Sequence, residues 1–196
     1  AAYCLRDHGV VPRGKRAANR LFSDTIGTEL MESTKGTWLS AEEAMRHIRS
    51  GNRIIIPIGC GLPKVLIDAL ISDSHRLKGV EIVGGLQMEY EFLDESLADS
   101  FTFRTWQCTP AIRRFLGSDR VKYIPMRQSD APYFFSQQGP WPVDVAFIHV
   151  TRPDSNGYCS LGVSVSILPM ALEAKTIVAQ VNDNMPRVFG AFIHVS

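Results

Sequence analysis

No stretch of this 196-residue chain approaches the roughly 20 consecutive apolar residues that cross a bilayer; its longest apolar runs are short and β-branched, as in Ile54–Ile58. No membrane partner is expected. Neither sign of charge dominates, with 21 Lys and Arg against 20 Asp and Glu and a formal net charge of +1. That balance gives no global reason to bind nucleic acid or an acidic surface. The four cysteines, Cys4, Cys60, Cys108 and Cys159, contain no CxxC spacing, which argues against a zinc knuckle or a thioredoxin-type pair and fits a reducing compartment. No two histidines stand at i, i+4 on a helix and no nearby carboxylate completes a triad, so no metal site is expected. Low-complexity tracts and short repeats are also missing.

What is present is an ordinary globular composition, 45% apolar and 21% charged. A chain of this length supports one substantial domain that buries roughly 70% of its unfolded surface. Residues 1–37 read as a basic amino-terminal arm: Arg6, Arg13, Lys15, Arg16 and Arg20 face a single acid, Asp7, within the first twenty residues. Gly9, Pro12 and Gly14 interrupt any helix there, which favours a solvated or partner-contacting arm over a mitochondrial targeting peptide. A cytoplasmic location follows, with a mitochondrial one as the alternative. Leu21–Met31 is compatible with a short helix. The core domain is expected over residues 38–196, starting at Trp38.

Ser40-Ala41-Glu42-Glu43 is a capping-box pattern, and Ala41, Ala44, Met45 and Ile48 follow at one-face helical spacing up to Gly51, a plausible left-handed stop. Ile54-Ile55-Ile56 is a continuous β-branched run, the mark of a strand covered on both faces. Further strands are expected at Val80–Val83, Phe101–Trp106, Val121–Pro125, Val143–Val150 and Thr176–Val181. Helices are expected at Pro63–Ser72, Pro110–Leu116 and within Asp130–Gln138. This alternation predicts an α/β fold: an open, mainly parallel sheet flanked by helices.

Gly59-Cys60-Gly61-Leu62-Pro63 falls where a strand hands over to a helix, the position at which open α/β sheets bind ligands. Gly59 and Gly61 permit close backbone approach, Pro63 suits a first helical position, and a helix amino terminus offers amides to an anion. The competing reading is a tight turn that needs glycine for geometry alone, and shape does not separate the two. Cys60 at the tip is expected to be a buried structural thiol, since no histidine is tied to it by sequence. His149 and His194, each near the end of an apolar run, read as hydrogen-bonded strand-end histidines. Asp154-Ser155-Asn156-Gly157 is a turn suited to positive φ. Gln180, Asn182, Asn184, Met185, Pro186 and Arg187 end the last long strand with amides and one guanidinium, a set suited to an acid substrate or an acyl carbonyl, although a plain polar loop is favoured on sequence alone.

Taken in order, Val-Asp-Val-Ala at 143–146, Pro153-Asp154, Gly157 to Val165 and Asn184-Met185-Pro186-Arg187 resemble the amino-terminal half of the acetyl-CoA hydrolase/4-hydroxybutyrate CoA-transferase family. The resemblance runs from about Trp38 to Ser196. It implies that Gly59, Cys60, Gly61 and Pro63 line a cleft between two similar halves and that Asn184, Met185, Pro186 and Arg187 lie near it, with Gln180 and Asn182 taken as substrate or cleft-lining residues beside them. It also implies that the catalytic glutamate lies outside this chain, so no catalytic residue is nominated. Val188-Phe189-Gly190-Ala191 is more apolar than the family pattern, which points to an altered substrate preference or a degenerate pocket.

The function so implied is CoA transfer between an acyl-CoA and a short-chain carboxylate such as acetate or a (hydroxy)butyrate. Coenzyme A would be a substrate, with no tightly bound cofactor. The expected partners are a carboxy-terminal half or subunit and further copies in a homo- or hetero-oligomer. Two rivals stand beside this reading: acyl-CoA hydrolysis by the same machinery, and a non-catalytic binding or assembly module derived from such a half.

Overall fold

The computed structural model describes residues 3–7, 37–163, 165–190 and 192–194. The expected helix at Leu21–Met31 lies outside them, as does most of the basic arm. Ten strands are described: β1 Tyr3–Asp7, β2 Thr37–Leu39, β3 Arg53–Ile55, β4 Val80–Val83, β5 Phe101–Thr105, β6 Val121–Tyr123, β7 Val145–Val150, β8 Tyr158–Ser160, β9 Thr176–Val181 and β10 Phe192–His194. The main sheet has the order β2-β1-β9-β7-β3-β4-β5-β6. From β9 to β6 all six strands are parallel, giving the expected open α/β sheet, and β1 joins antiparallel to β9 and to β2. A short antiparallel pair, β8 with β10, stands apart. Tyr3–Asp7, inside the stretch read from sequence as a solvated arm, is thus a sheet strand, with Tyr3 opposite Gln180 and Asp7 opposite Thr176.

Alternation along each strand splits the core into two layers. Ile54, Ile56, Val80, Ile82, Val145, Phe147 and Val178 face one side, under α1 (Ala41–Met45) and α2 (Lys64–Ser72), where Met45, Ile48, Leu66 and Leu70 cover them. Ile55, Val83, Ala146, Ile148, Val150, Ile177 and Ala179 face the other, under α3 (Ala131–Phe134) and α4 (Leu168–Ala171), with Phe135, Met170 and Ala171.

The capping box closes as expected: Glu43 N donates to Ser40 Oγ at 3.1 Å and Ser40 N to Glu43 Oε2 at 2.8 Å, a cap of a kind typically worth about 1 kcal/mol. Helix α1 nevertheless ends at Met45 and does not run to Gly51. Ile48 stays buried through the turn that follows, and Gly51 (φ 78°) donates to Lys78 O, so its positive φ serves the entry to β3. Pro110–Phe115 is a 3-10 helix; Ile112 is its one buried side chain, and no apolar face draws it into α geometry. α3 takes only four residues of the expected Asp130–Gln138 segment. α4, β8 and β10 have no counterpart in the sequence-based reading.

Candidate functional site

The chain places β4, β5 and β6 successively on one side of β3 and then returns to place β7 and β9 on the other. The carboxyl ends of β3 and β7 therefore flank a topological switch point, where open α/β sheets form their ligand crevice. Gly59–Gly61 follows β3 as a 3-10 turn leading into α2, with Gly59 at φ 60°; the Cys60 thiol is exposed at the tip and not buried as expected, because the turn carries it off the end of the sheet. The turn is held from the β4 side, where Gly59 N donates to Leu86 O at 2.8 Å and the buried Gln87 donates through Nε2 to Pro57 O at 3.1 Å. Its own backbone closes the rest, Gly61 N to Ile58 O and Leu62 N to Gly59 O, both at 3.3 Å.

The helix amino terminus next to this turn does not present its amides outward, as the sequence suggested it would. Lys64 N donates to Leu62 O at 3.0 Å, and Val65 N donates to Gln180 Oε1 at 3.1 Å. Gln180, on β9, is 6% exposed and acts as a cap supplied from another part of the sheet. The Lys64 ammonium meets Asp68 at 2.5 Å, Glu91 at 2.6 Å and Glu89 at 3.6 Å. Hydrogen bonding first to Asp68 and then to Glu91 raises its pKa. Three carboxylates around one lysine disfavour a phosphate at that spot.

His149 stands directly in register with Gln180 on the neighbouring strand. Its Nε2 lies 3.4 Å from Gln180 Nε2. Burial pushes the imidazole below its ordinary range, against an opposing pull from backbone acceptors at Gly61 and Leu62. Sequence placed His149 at a strand end but gave no sign that it lies under the glycine turn.

The segment after β9 folds against the loop after β7. Asn182 Oδ1 accepts from Asn184 N at 2.9 Å, and Met185 N donates to Asn182 O at 3.2 Å. Met185 is buried, stacked over Gly162, whose φ is +53°. Arg187 holds a carboxylate from its own chain: Nη2 meets Asp154 Oδ2 at 2.6 Å and Tyr158 O at 3.1 Å. Asp154 Oδ1 accepts from Asn156 N and Tyr158 N at 2.9 Å each, which shapes the turn completed by Gly157 at φ 80°. Arg152 and Asp183 add a bidentate pair at 2.8 Å. Ser160, fully buried, joins the layers by accepting from Gly162 N and Val188 N, both at 3.1 Å. In this way the structure gathers Gln180 with Gly59–Pro63, and Arg187 with the Asp154 loop, into two adjoining clusters at the carboxyl edge.

Residues 33–196 match the acetyl-CoA hydrolase/transferase N-terminal domain. The chain belongs to that family. The chain is similar to the 4-hydroxybutyrate coenzyme A transferase of Clostridium kluyveri, 36% identical over 171 residues that cover 86% of this chain and 40% of the relative. Another is the butyryl-CoA:acetate CoA-transferase of Anaerostipes caccae, 32% identical over 164 residues, covering 80% and 36%. Among solved structures, RipA from Yersinia pestis aligns with a TM-score of 0.71 at 25% identity, over 80% of this chain and 39% of that one. A 4-hydroxybutyrate CoA-transferase from Porphyromonas gingivalis aligns with a TM-score of 0.59, also at 25% identity, over 80% and 36%. The chain therefore spans two-fifths or less of each of these proteins. Among the described residues no helix is long and apolar enough to cross a membrane, and no three His, Cys, Asp or Glu side chains gather as metal ligands.

Proposed function

We propose that this chain is the amino-terminal half of a CoA-transferase that moves CoA between an acyl-CoA and a short-chain carboxylate such as acetate or a (hydroxy)butyrate. The observation that carries this reading is the glycine turn at the topological switch point of a chain belonging to this family. The activities for which the relatives are named support the substrate class. In this reading a glutamate from the carboxy-terminal half attacks the thioester carbonyl, CoA leaves as thiolate, and an acyl-glutamyl anhydride remains. The thiolate then attacks the glutamyl carbonyl and expels the acyl group as its carboxylate. The resulting glutamyl-CoA thioester passes CoA to the second carboxylate by the same two steps in reverse. CoA is a substrate throughout and no bound cofactor takes part.

This chain contributes the cleft wall: Gly59, Cys60, Gly61 and Pro63 on one side, and Asn182, Asn184, Met185, Pro186 and Arg187 on the other, with Gln180 beneath. Because the α2 amides are already capped, the wall acts by shape and close backbone approach. Arg187, engaged by Asp154, fixes the loop that borders the acyl site. We place the protein in the cytoplasm, working as an oligomer. The test is the fate of butyryl-CoA with and without acetate, using the protein that carries this domain together with its carboxy-terminal half. The transferase reading predicts acetyl-CoA formation that requires acetate. Free CoA released at a rate indifferent to acetate would assign hydrolysis.

A further inference from the structure

A cavity of about 360 Å³ opens at the amino edge of the sheet, the end opposite the glycine turn, where the turn after α1 meets the residues that lead into β3, β7 and β9. Arg46, His47, Arg49 and Asn52 line it from the turn, Asp144 and Lys175 from the strand starts. Its acceptors are engaged. Asp144 Oδ1 accepts from Lys175 Nζ at 2.7 Å and Oδ2 from Arg53 N at 2.9 Å, and Asn52 Oδ1 accepts from Arg49 N at 2.8 Å. Of the turn's carbonyls, those of Met45 and Ile48 accept from Arg76 at 2.9 and 2.8 Å, and that of Arg49 accepts from Asn52 N at 3.1 Å. Its donors are free. Arg46 and Arg49 are exposed, and among the described residues neither guanidinium meets a carboxylate or a carbonyl. Glu43, one turn back on α1, is held by the cap at Ser40.

We propose that this cavity is a binding site for a phosphate dianion, free or carried on a small phosphomonoester. Arg46, Arg49 and Lys175 set against Asp144 leave a lining charge of +2, which a dianion balances. A guanidinium offers its N–H groups in a planar fork that fits an oxyanion, and a phosphate dianion only accepts, so a wall of unpaired donors with engaged acceptors matches it. The volume falls in the range of about 300–1,000 Å³ that holds small ligands, which leaves room for the rest of a monoester beside the phosphate group. The frame is fixed from behind, by buried Ile48 and Val145 and by Arg76 on the carbonyls that end α1. The six residues of β7, about 20 Å of strand, separate this site from the crevice at the carboxyl edge, so it does not rest on the transferase reading.

The experiment is isothermal titration calorimetry of the protein that carries this domain, in low-salt buffer, with inorganic phosphate and with glycerol 3-phosphate as probes. A saturable isotherm with a Kd of about 1 mM or tighter is expected for at least one of them. Tighter binding of glycerol 3-phosphate assigns the site to phosphomonoesters, and equal or tighter binding of inorganic phosphate assigns it to the free ion. Arg46→Gln and Arg49→Gln should each weaken binding about tenfold, the scale of one lost charge-assisted hydrogen bond. Both side chains are exposed, so these variants keep the fold. Arg113→Gln removes the same charge from an exposed arginine outside the cavity and should leave binding unchanged. No saturation by either probe up to about 10 mM, or equal weakening in all three variants, overturns the proposal.

Discussion

Glu81→Ala is expected to destabilise the chain by about 3 kcal/mol, the low end of the cost of breaking a buried ion pair, because the buried carboxylate is the shared counter-charge of two half-buried arginines. Glu81 stands in the middle of three adjacent parallel strands, on the face away from α2. Arg53 Nε of β3 reaches Oε2 at 2.5 Å and Arg104 Nη2 of β5 reaches Oε1 at 2.7 Å, with Lys122 Nζ at 3.5 Å. The arginines are fixed by other contacts: Arg53 Nη1 donates to Pro142 O at 3.0 Å, and the Arg104 guanidinium lies over the Trp141 ring at 4.8 Å. Neither can follow a vanished carboxylate into solvent without giving up that support.

Burial pushes the Glu81 carboxyl up, but hydrogen bonds from Arg104 and Arg53 outweigh it and hold the pKa below its ordinary value of 4.5. A carboxyl with a lowered folded pKa adds stability that is present above pH 4.5 and fades as pH falls through the folded value. Urea unfolding at neutral pH should show the full loss. The gap between the unsubstituted protein and Glu81→Gln, which keeps the shape and removes the charge, should close on the acid side of pH 4.5. A loss below about 1 kcal/mol, the range of an exposed pair, would contradict this account of the network.

Gly162→Ala should cost about 3 kcal/mol. The backbone there has φ +53°, which disfavours any L side chain by about 1–2 kcal/mol. An added Cβ would also stand 2.6 Å from Met185 Cγ and 2.9 Å from Pro186 O, and overpacking of this kind adds about 1–3 kcal/mol. Relief requires the Met185–Pro186 segment to lift off, so the substitution should also slacken the Arg187–Asp154 clasp. Calorimetric unfolding together with limited proteolysis between residues 182 and 190 checks both effects. A stability change within 0.5 kcal/mol, typical of an unremarkable surface site, would show that the loop does not rest on Gly162.

The parallel sheet was legible because its central strands are buried on both faces and need unbroken apolar sequence. Val80–Val83 and Thr176–Val181 lie at the bounds expected from sequence. The capping box was equally visible, since its hydrogen bonds join residues three apart, and the glycine turn showed in its own composition although Leu86 and Gln87 hold it from the β4 side. What escaped depends on distant partners. The capping of α2 by Gln180 spans 115 residues of chain, and the Arg187–Asp154 clasp spans 33. No local pattern shows that a helix start is already satisfied or that an arginine is already engaged. Likewise Tyr3–Asp7 becomes a strand only because β9 offers a free edge.

The central proposal, that this chain supplies the cleft wall and another segment the nucleophile, is tested most directly by assaying CoA transfer from butyryl-CoA to acetate. The 196-residue chain would be compared with the same chain joined to the carboxy-terminal part of the Clostridium kluyveri relative. The account predicts no acetyl-CoA from the chain alone and acetate-dependent acetyl-CoA from the joined protein. Acetyl-CoA formed by the chain alone would contradict it.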